Sequence, residues 1–256
     1  MPSQSDAARL PELVAHRGWA ARYPENTMLA LEGAVRAGAR RVEVDVQIAS
    51  DGVPMLFHDR TLTRMCGVAG AIHERTSASL GTLSCAEKAR FGGEFDGARI
   101  AKLEELVALL SESPEVFAFV EVKRIAVERE GAQRALDRVL PVLEPVIGRV
   151  ALISFSLPLL TVARTNTDLP LGAVFDTWAE AASAQVRGLN PEYVFCDLDG
   201  LPKGGVLRSG RAKVAVYEVA QPELAVALAR RGVDLVETFA IGEMIAALRE
   251  IEAKGR

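Results

Sequence analysis

Short apolar runs rich in Val, Ile, Leu and Phe alternate along the chain with longer stretches whose apolar residues recur every three or four positions. The first kind reads as strands and the second as amphipathic helices. Strands are predicted at Leu13–His16, Arg41–Ile48, Val116–Val122, Val150–Phe155, Leu171–Phe175, Tyr193–Asp197, Lys213–Val219 and Leu235–Thr238. Helices are predicted over Glu25–Ala37, Leu103–Ser111, Glu128–Leu143, Leu157–Thr165, Ala179–Arg187, Pro222–Arg231 and Gly242–Lys254, with a short, weakly marked one around Pro202–Ser209. Eight such units predict an α/β fold closed into a (β/α)8 TIM barrel rather than an open sheet. Pro24 and Glu25 suit the first turn of a helix, where a missing N–H costs nothing and negative charge is favoured. Gly38, Gly188 and Gly232 fall where helices should stop. The helical pairs share no sequence repeat, which excludes a solenoid. The rhythm breaks between His58 and about Arg99, which is Gly-rich and weakly periodic. An unstructured loop of that length is at odds with a compact domain. The expectation is a single domain over 1–256, with a small insertion after the second strand, an inserted subdomain of about 60–99 at the entrance to the site.

Side chains alternate across a strand, so Glu43, Asp45 and Gln47 share one face of the second strand and Val42, Val44 and Val46 the other. The valines suit helix packing, which turns the acids into the barrel. The third strand repeats the pattern, with Phe117, Phe119, Glu121 and Lys123 on one face. Glu121 and Lys123 lie at its C-terminal end, where barrel enzymes keep their chemistry. Three carboxylates on adjacent strands are costly unless paired or metal-bound. All-oxygen ligation favours a hard divalent cation, Mg2+ or Ca2+. His16 ends the first strand and His58 ends the run Val53–Phe57, so both are expected at the same rim as an acid-base pair. Arg17 is placed to grip a phosphate. Asn26 either orients substrate or caps the helix that follows. The third histidine, His73, is expected at the surface of the insertion. Together these are the parts for metal-assisted attack on a phosphodiester: one cation and a phosphodiester leave three carboxylates with an excess of negative charge that Arg17 and Lys123 cancel.

Composition narrows the partners. The chain has 256 residues and a net charge of -4, with a pI near 5.6. A mildly acidic chain without basic blocks argues against a nucleic-acid partner. The N-terminus MPSQSDAARLPEL lacks the basic-then-apolar pattern of a signal peptide, and no stretch reaches the roughly 18 apolar residues of a transmembrane segment. Cys66, Cys85 and Cys196 are odd in number and lack metal-type spacing, which reads as free thiols in a cytoplasmic protein. Oligomeric state is left open by the sequence.

In order along the chain, His16-Arg17-Gly18, Pro24-Glu25-Asn26-Thr27, Glu43-x-Asp45, His58-Asp59, Leu103-x-Glu105, Glu121-x-Lys123 and Ser154-Phe155 resemble the glycerophosphodiester phosphodiesterase family. The resemblance implies a barrel with a small insertion, metal ligation by Glu43, Asp45 and Glu121, and His16 and His58 as general acid and base. It also implies Mg2+- or Ca2+-dependent hydrolysis of a small-molecule glycerophosphodiester to glycerol 3-phosphate and an alcohol. Three positions depart from the family's pattern: Phe119 stands where Asn is usual, Tyr217 where Trp is common, and Phe239 where Asp often follows Thr. They bear on the alcohol and the glycerol contacts rather than on the acids and histidines. Two other readings are a phospholipase D-type cleavage of lysophospholipids and a non-catalytic barrel that binds phospho-metabolites.

Overall fold

The computed structural model describes residues 10–254, so most of the N-terminal stretch read for a leader lies outside the described residues. Nine strands form one sheet: β1 (Glu12–Ala15), β2 (Arg41–Ile48), β3 (Pro54–Leu56), β4 (Phe117–Val122), β5 (Val150–Ser154), β6 (Leu171–Phe175), β7 (Tyr193–Asp197), β8 (Lys213–Tyr217) and β9 (Leu235–Thr238). Eight are parallel and close into a ring in the order β1-β9-β8-β7-β6-β5-β4-β2, with β1 returning to β2. This is the expected (β/α)8 barrel. The ninth, β3, runs antiparallel to β2.

The ring has a seam. β1 meets β2 only through Ala15 opposite Val42, whereas β1 and β9 share four register pairs. Where β1 stops, β3 takes over the same edge of β2, from Val46 to Ile48. That handover leaves His16 and Arg17 free to turn over the barrel mouth.

The two faces divide as the alternation predicts. Val42, Val44 and Val46 join the apolar layer between barrel and helices. Inside the barrel, Val14, Phe119, Ile153, Val174 and Phe195 are among the residues of a separate cluster. Phe119 meets Phe117, Tyr193 and Phe195 edge-on at 5.0–5.3 Å, and this aromatic packing fills the barrel interior. Gly172 on β6 makes room for it, because a Cβ there would lie 2.6 Å from Ile153 Cγ2.

Several helices differ from the sequence pattern for local reasons. The first is Met28–Arg36, not Glu25–Ala37, since Thr27 is its N-cap and Asn26 takes a φ of 55° that no helix admits. The predicted Glu128–Leu143 helix is two, Arg124–Glu130 and Ala132–Leu143, broken at Gly131 with φ 78°. Gly188 lies inside a short helix, Ala184–Leu189, and Asn190 supplies the left-handed C-cap instead. Pro202–Ser209 is a loop, held by Arg231, whose guanidinium donates to the carbonyls of Pro202, Gly204 and Gly205. β8 ends two residues early because Glu218 has φ 65°.

The insertion lies between β3 and the helix Leu103–Glu112. It consists of short helices at Thr63–Cys66, Ser77–Leu80 and Lys88–Phe91 and a 3-10 turn at Ile72–Glu74. Met55, Phe57, Leu62, Met65, Ile72, Leu80 and Ile100 give it an apolar core of its own. His73 is half-buried there rather than at the surface, as expected from sequence. Among the described residues, no helix is long and apolar enough to cross a membrane.

Candidate active site

The turn after β1 brings the first functional residues over the mouth. Arg17 and Gly18 both have positive φ, 56° and 80°. A Cβ on Gly18 would lie 2.6 Å from the Ala30 carbonyl carbon, so the turn packs directly on helix backbone and only glycine fits. Non-glycine residues in this region store strain, and Arg17 and Glu218 both do so at the cleft.

Arg17 ties three acids together. Its backbone N–H donates to Glu43 Oε2 at 3.2 Å. Its guanidinium lies 3.1 Å from Glu25 Oε1 and 3.1 Å from Asp45 Oδ2. From the opposite side, Lys123 Nζ lies 3.0 Å from Asp45 Oδ1 and 2.9 Å from Glu121 Oε1. Asn26 caps nothing. Its amide nitrogen donates to Asp45 Oδ2 at 2.8 Å and its oxygen accepts the Asp45 N–H at 3.1 Å. It is buried and aims Asp45 rather than facing the cleft.

Glu43, Asp45 and Glu121 each offer an oxygen within 4.8 Å of the others, and all three are buried. Burial, with the carboxylates of Asp45, Glu237 and Glu121, pushes the Glu43 pKa well up. Burial likewise raises Glu121 despite Lys123 beside it. Burial also opposes the Asp45 anion, but Lys123 and Arg17 outweigh it and hold that group far below the usual carboxylate range. Glu43 Oε1 has no hydrogen-bond partner among the described residues. A set of buried oxygens with one acceptor unspent and raised carboxyl pKa values fits a hard divalent cation, which would relieve the repulsion between them.

His16 sits 3.8 Å from Glu43 Oε2 through Nε2. The Phe239 ring stacks on it at 4.5 Å, 9° from parallel, and covers one imidazole face. Burial, reinforced by Arg17, holds His16 well below its ordinary pKa. His58 is half-buried at the start of the insertion, with Nδ1 3.0 Å from Asp59 Oδ1. Gln47, predicted on the acid face of β2, fixes that loop, its amide donating to the carbonyls of Phe57, His58 and Asp59 at 2.7–3.1 Å.

Two residues escaped the sequence reading. Glu237 on β9 is 3% exposed and lines the same cleft, and its Oε1 is unpartnered among the described residues. Burial, with Glu121 and Asp45, pushes its carboxyl up to about 8. It was findable, since alternation along Leu235–Thr238 turns it inward as it turns Glu121. The other is Arg64, from the insertion. It contacts both oxygens of Asp59 at 2.7 and 2.8 Å, both oxygens of Glu25 at 2.6 and 3.2 Å, and Glu87 at 3.1 Å. Arg64 therefore joins the partner of His58 to the partner of Arg17. No periodicity in the insertion signals it.

His16, Arg17, Glu43, His58, Glu121 and Lys123 all face one cleft at the C-terminal mouth of the barrel. The profile of the glycerophosphoryl diester phosphodiesterase family matches residues 16–238, from His16 to the end of β9. The chain belongs to that family. Glycerophosphodiester phosphodiesterase 1 of Mus musculus is 39% identical over 94 residues, which is 37% of this chain and 28% of that protein. A glycerophosphodiester phosphodiesterase of Caldanaerobacter subterraneus subsp. tengcongensis is 29% identical over 203 residues, 76% of this chain and 82% of its own. Among solved structures, an Oleispira antarctica phosphodiesterase in complex with the product sn-glycerol-3-phosphate superposes with a TM-score of 0.82 at 22% identity, covering 94% of this chain and 97% of its own. A structure from Silicibacter pomeroyi gives 0.82 at 21% identity, covering 95% and 94%. At such identities the structural likeness is one of fold.

Proposed function

We propose that this phosphodiesterase-family chain hydrolyses glycerophosphodiesters to glycerol 3-phosphate and an alcohol, with His16 and His58 as the acid-base pair and Mg2+ or Ca2+ held by Glu43, Asp45 and Glu121. The observation that carries the reading is that two imidazoles, a buried carboxylate trio and two cations, Arg17 and Lys123, converge at one barrel mouth. The product bound in the Oleispira antarctica relative supports glycerol 3-phosphate as the product here.

Glu43, Asp45 and Glu121 would hold the divalent cation, which when bound would supply Lewis-acid polarisation of a phosphoryl oxygen. The protein's own groups do the rest. Arg17 and Lys123 orient the phosphate and offset negative charge as it grows. His16, kept neutral by burial and by Arg17, takes the proton of the attacking hydroxyl; water as the attacker gives glycerol 3-phosphate directly, and the substrate's 2-hydroxyl gives a cyclic phosphate that water then opens in a second step. Asp59 is held ionised by hydrogen bonds from His58 and Arg64 that outweigh its burial. It accepts from His58 Nδ1–H, which leaves Nε2 to deliver a proton to the departing alkoxide. The test is release of glycerol 3-phosphate from glycerophosphocholine and glycerophosphoethanolamine, with Mg2+, with Ca2+ and with chelator. Metal-dependent release is expected. A folded protein that releases none with either metal refutes the proposal.

A further inference from the structure

The insertion holds a pair of thiols that the mechanism leaves unused. Cys66 ends the helix Thr63–Cys66, and Cys85 lies just before the helix Lys88–Phe91. The two stretches are tied together beside the thiols. The Glu87 N–H donates to the Met65 carbonyl at 3.0 Å, and Arg64 reaches Glu87 Oε1 at 3.1 Å. The thiols themselves meet in a hydrogen bond. Their surroundings differ. Cys85 belongs to the apolar core of the insertion and is 2% exposed, whereas Cys66 packs on the edge of that core and is half-buried. The hydrogen bond with Cys85, aided by Arg75, holds the Cys66 thiol below its ordinary pKa against the effect of burial. The same hydrogen bond, together with burial, pushes Cys85 well up. The third cysteine, Cys196, is buried on β7, and burial pushes its thiol up to about 12.

We propose that Cys66 and Cys85 form a reversible dithiol–disulfide site, oxidised by peroxides, whose closure slows the active site by displacing Arg64. Only the kinetic part rests on the phosphodiesterase reading above. An accessible thiol with thiolate character, set against a second thiol, is the arrangement in which oxidation stops at a disulfide. The Cys66 thiolate attacks one peroxide oxygen, the O–O bond breaks, and a sulfenic acid forms with release of hydroxide. The Cys85 sulfur then attacks the Cys66 sulfur, the S–O bond breaks, and hydroxide leaves with the Cys85 proton as water. The two thiols lose one electron pair in all, and hydrogen peroxide takes it up and ends as water. A dithiol reductant reverses the bond by exchange. A disulfide holds its sulfurs at about 2 Å, closer than hydrogen-bonded thiols. Closing it therefore pulls the end of the Thr63–Cys66 helix toward Cys85. Arg64 rides on that helix, and its guanidinium grips Asp59, the partner of His58.

The test treats the reduced full chain with a few equivalents of hydrogen peroxide, removes the excess with catalase, and reads thiols, structure and turnover. Alkylation and peptide mapping should find Cys66 joined to Cys85 and Cys196 still free. The His58 ring resonances, assigned by comparison with His58→Ala, should shift in the proton NMR spectrum. On glycerophosphocholine with Mg2+, kcat should fall about tenfold with a smaller change in KM, the scale expected when a proton-transfer group is displaced by a fraction of an ångström. Dithiothreitol should restore the thiols, the resonances and the rate. Cys66→Ser and Cys85→Ala should each abolish the response, and Cys196→Ala should keep it. A folded chain whose thiols all survive peroxide, or in which Cys66 oxidises without joining Cys85, overturns the proposal. So does a disulfide that leaves the His58 resonances and kcat unchanged. Absence of turnover in the reduced chain overturns the phosphodiesterase reading instead, and the peptide map and the His58 resonances still decide the switch.

Discussion

Replacing Arg64 with Met removes a guanidinium that makes five contacts of 2.6–3.2 Å to Asp59, Glu25 and Glu87 while keeping most of its apolar stem. Breaking a fully buried ion pair costs about 3–5 kcal/mol and an exposed one at most about 1 kcal/mol. The Arg64 side chain is 38% exposed while Glu25 and Glu87 are buried, so screening lowers the first figure. Each acid also keeps another partner: Arg17 for Glu25, Arg90 for Glu87 and His58 for Asp59. The loss at neutral pH should therefore be about 2 kcal/mol, between those two limits. Its pH dependence has a definite sign. Hydrogen bonds from His58 and Arg64 outweigh burial and hold the Asp59 pKa below its unfolded value. The stability tied to that shift is present above the ordinary Asp pKa and is lost as pH falls through the folded one. Urea denaturation, which leaves charges unscreened, should show the gap between the two proteins narrowing as pH falls from neutral to about 3. In the same variant kcat should drop about tenfold with a smaller change in KM, because Asp59 keeps His58 but loses the guanidinium that fixes its own carboxylate, and Arg64→Lys should retain part of the activity. A stability change under about 0.5 kcal/mol together with an unchanged kcat would refute the argument that Arg64 links the insertion to the site.

His16→Ala and His58→Ala should each lower kcat by about 10²–10⁴-fold with an unchanged circular dichroism spectrum, and near-normal turnover in either removes its catalytic role. Glu43→Gln and Asp45→Asn should weaken Mg2+ or Ca2+ binding in calorimetric titration; unchanged affinity eliminates that residue as a ligand. Glu237 carries a carboxyl pushed up to about 8, so the native state holds a proton that the unfolded chain has lost. In chelator, stability should fall as pH rises between about 4.5 and 8, and Glu237→Gln should flatten that slope; an identical slope in both proteins contradicts the burial of the charge.

The barrel was legible because strand parity is strict. One glance at Arg41–Ile48 separates acids from valines, and the fold keeps them apart. The same parity exposes Glu237, a single inward acid on a four-residue strand, too short to draw attention on its own. Helix starts were less legible, since Pro24 and Glu25 have the right chemistry for a first turn but Asn26 takes a backbone conformation that delays the helix to Met28. The sequence admits Asn26 as a cap or a substrate contact, and its actual partner, Asp45, is nineteen residues away. Arg64 depends entirely on how the insertion folds back over the mouth, and contacts of that kind leave no periodic trace. Of the three positions that the sequence set apart, Phe119 packs the barrel interior, while Tyr217 and Phe239 frame His16.

The seam between β1 and β2, a single register pair, bears on how the protein folds. His16 and Arg17 stand on one side of it, and Glu43 and Asp45 on the other. A chain in which β4 to β9 have paired while the seam is open would hold most of its sheet hydrogen bonds, yet the residues proposed for catalysis would be unassembled. Circular dichroism would register such a species as nearly native and turnover would register it as empty. In a refolding experiment the recovery of activity therefore times the closing of the ring.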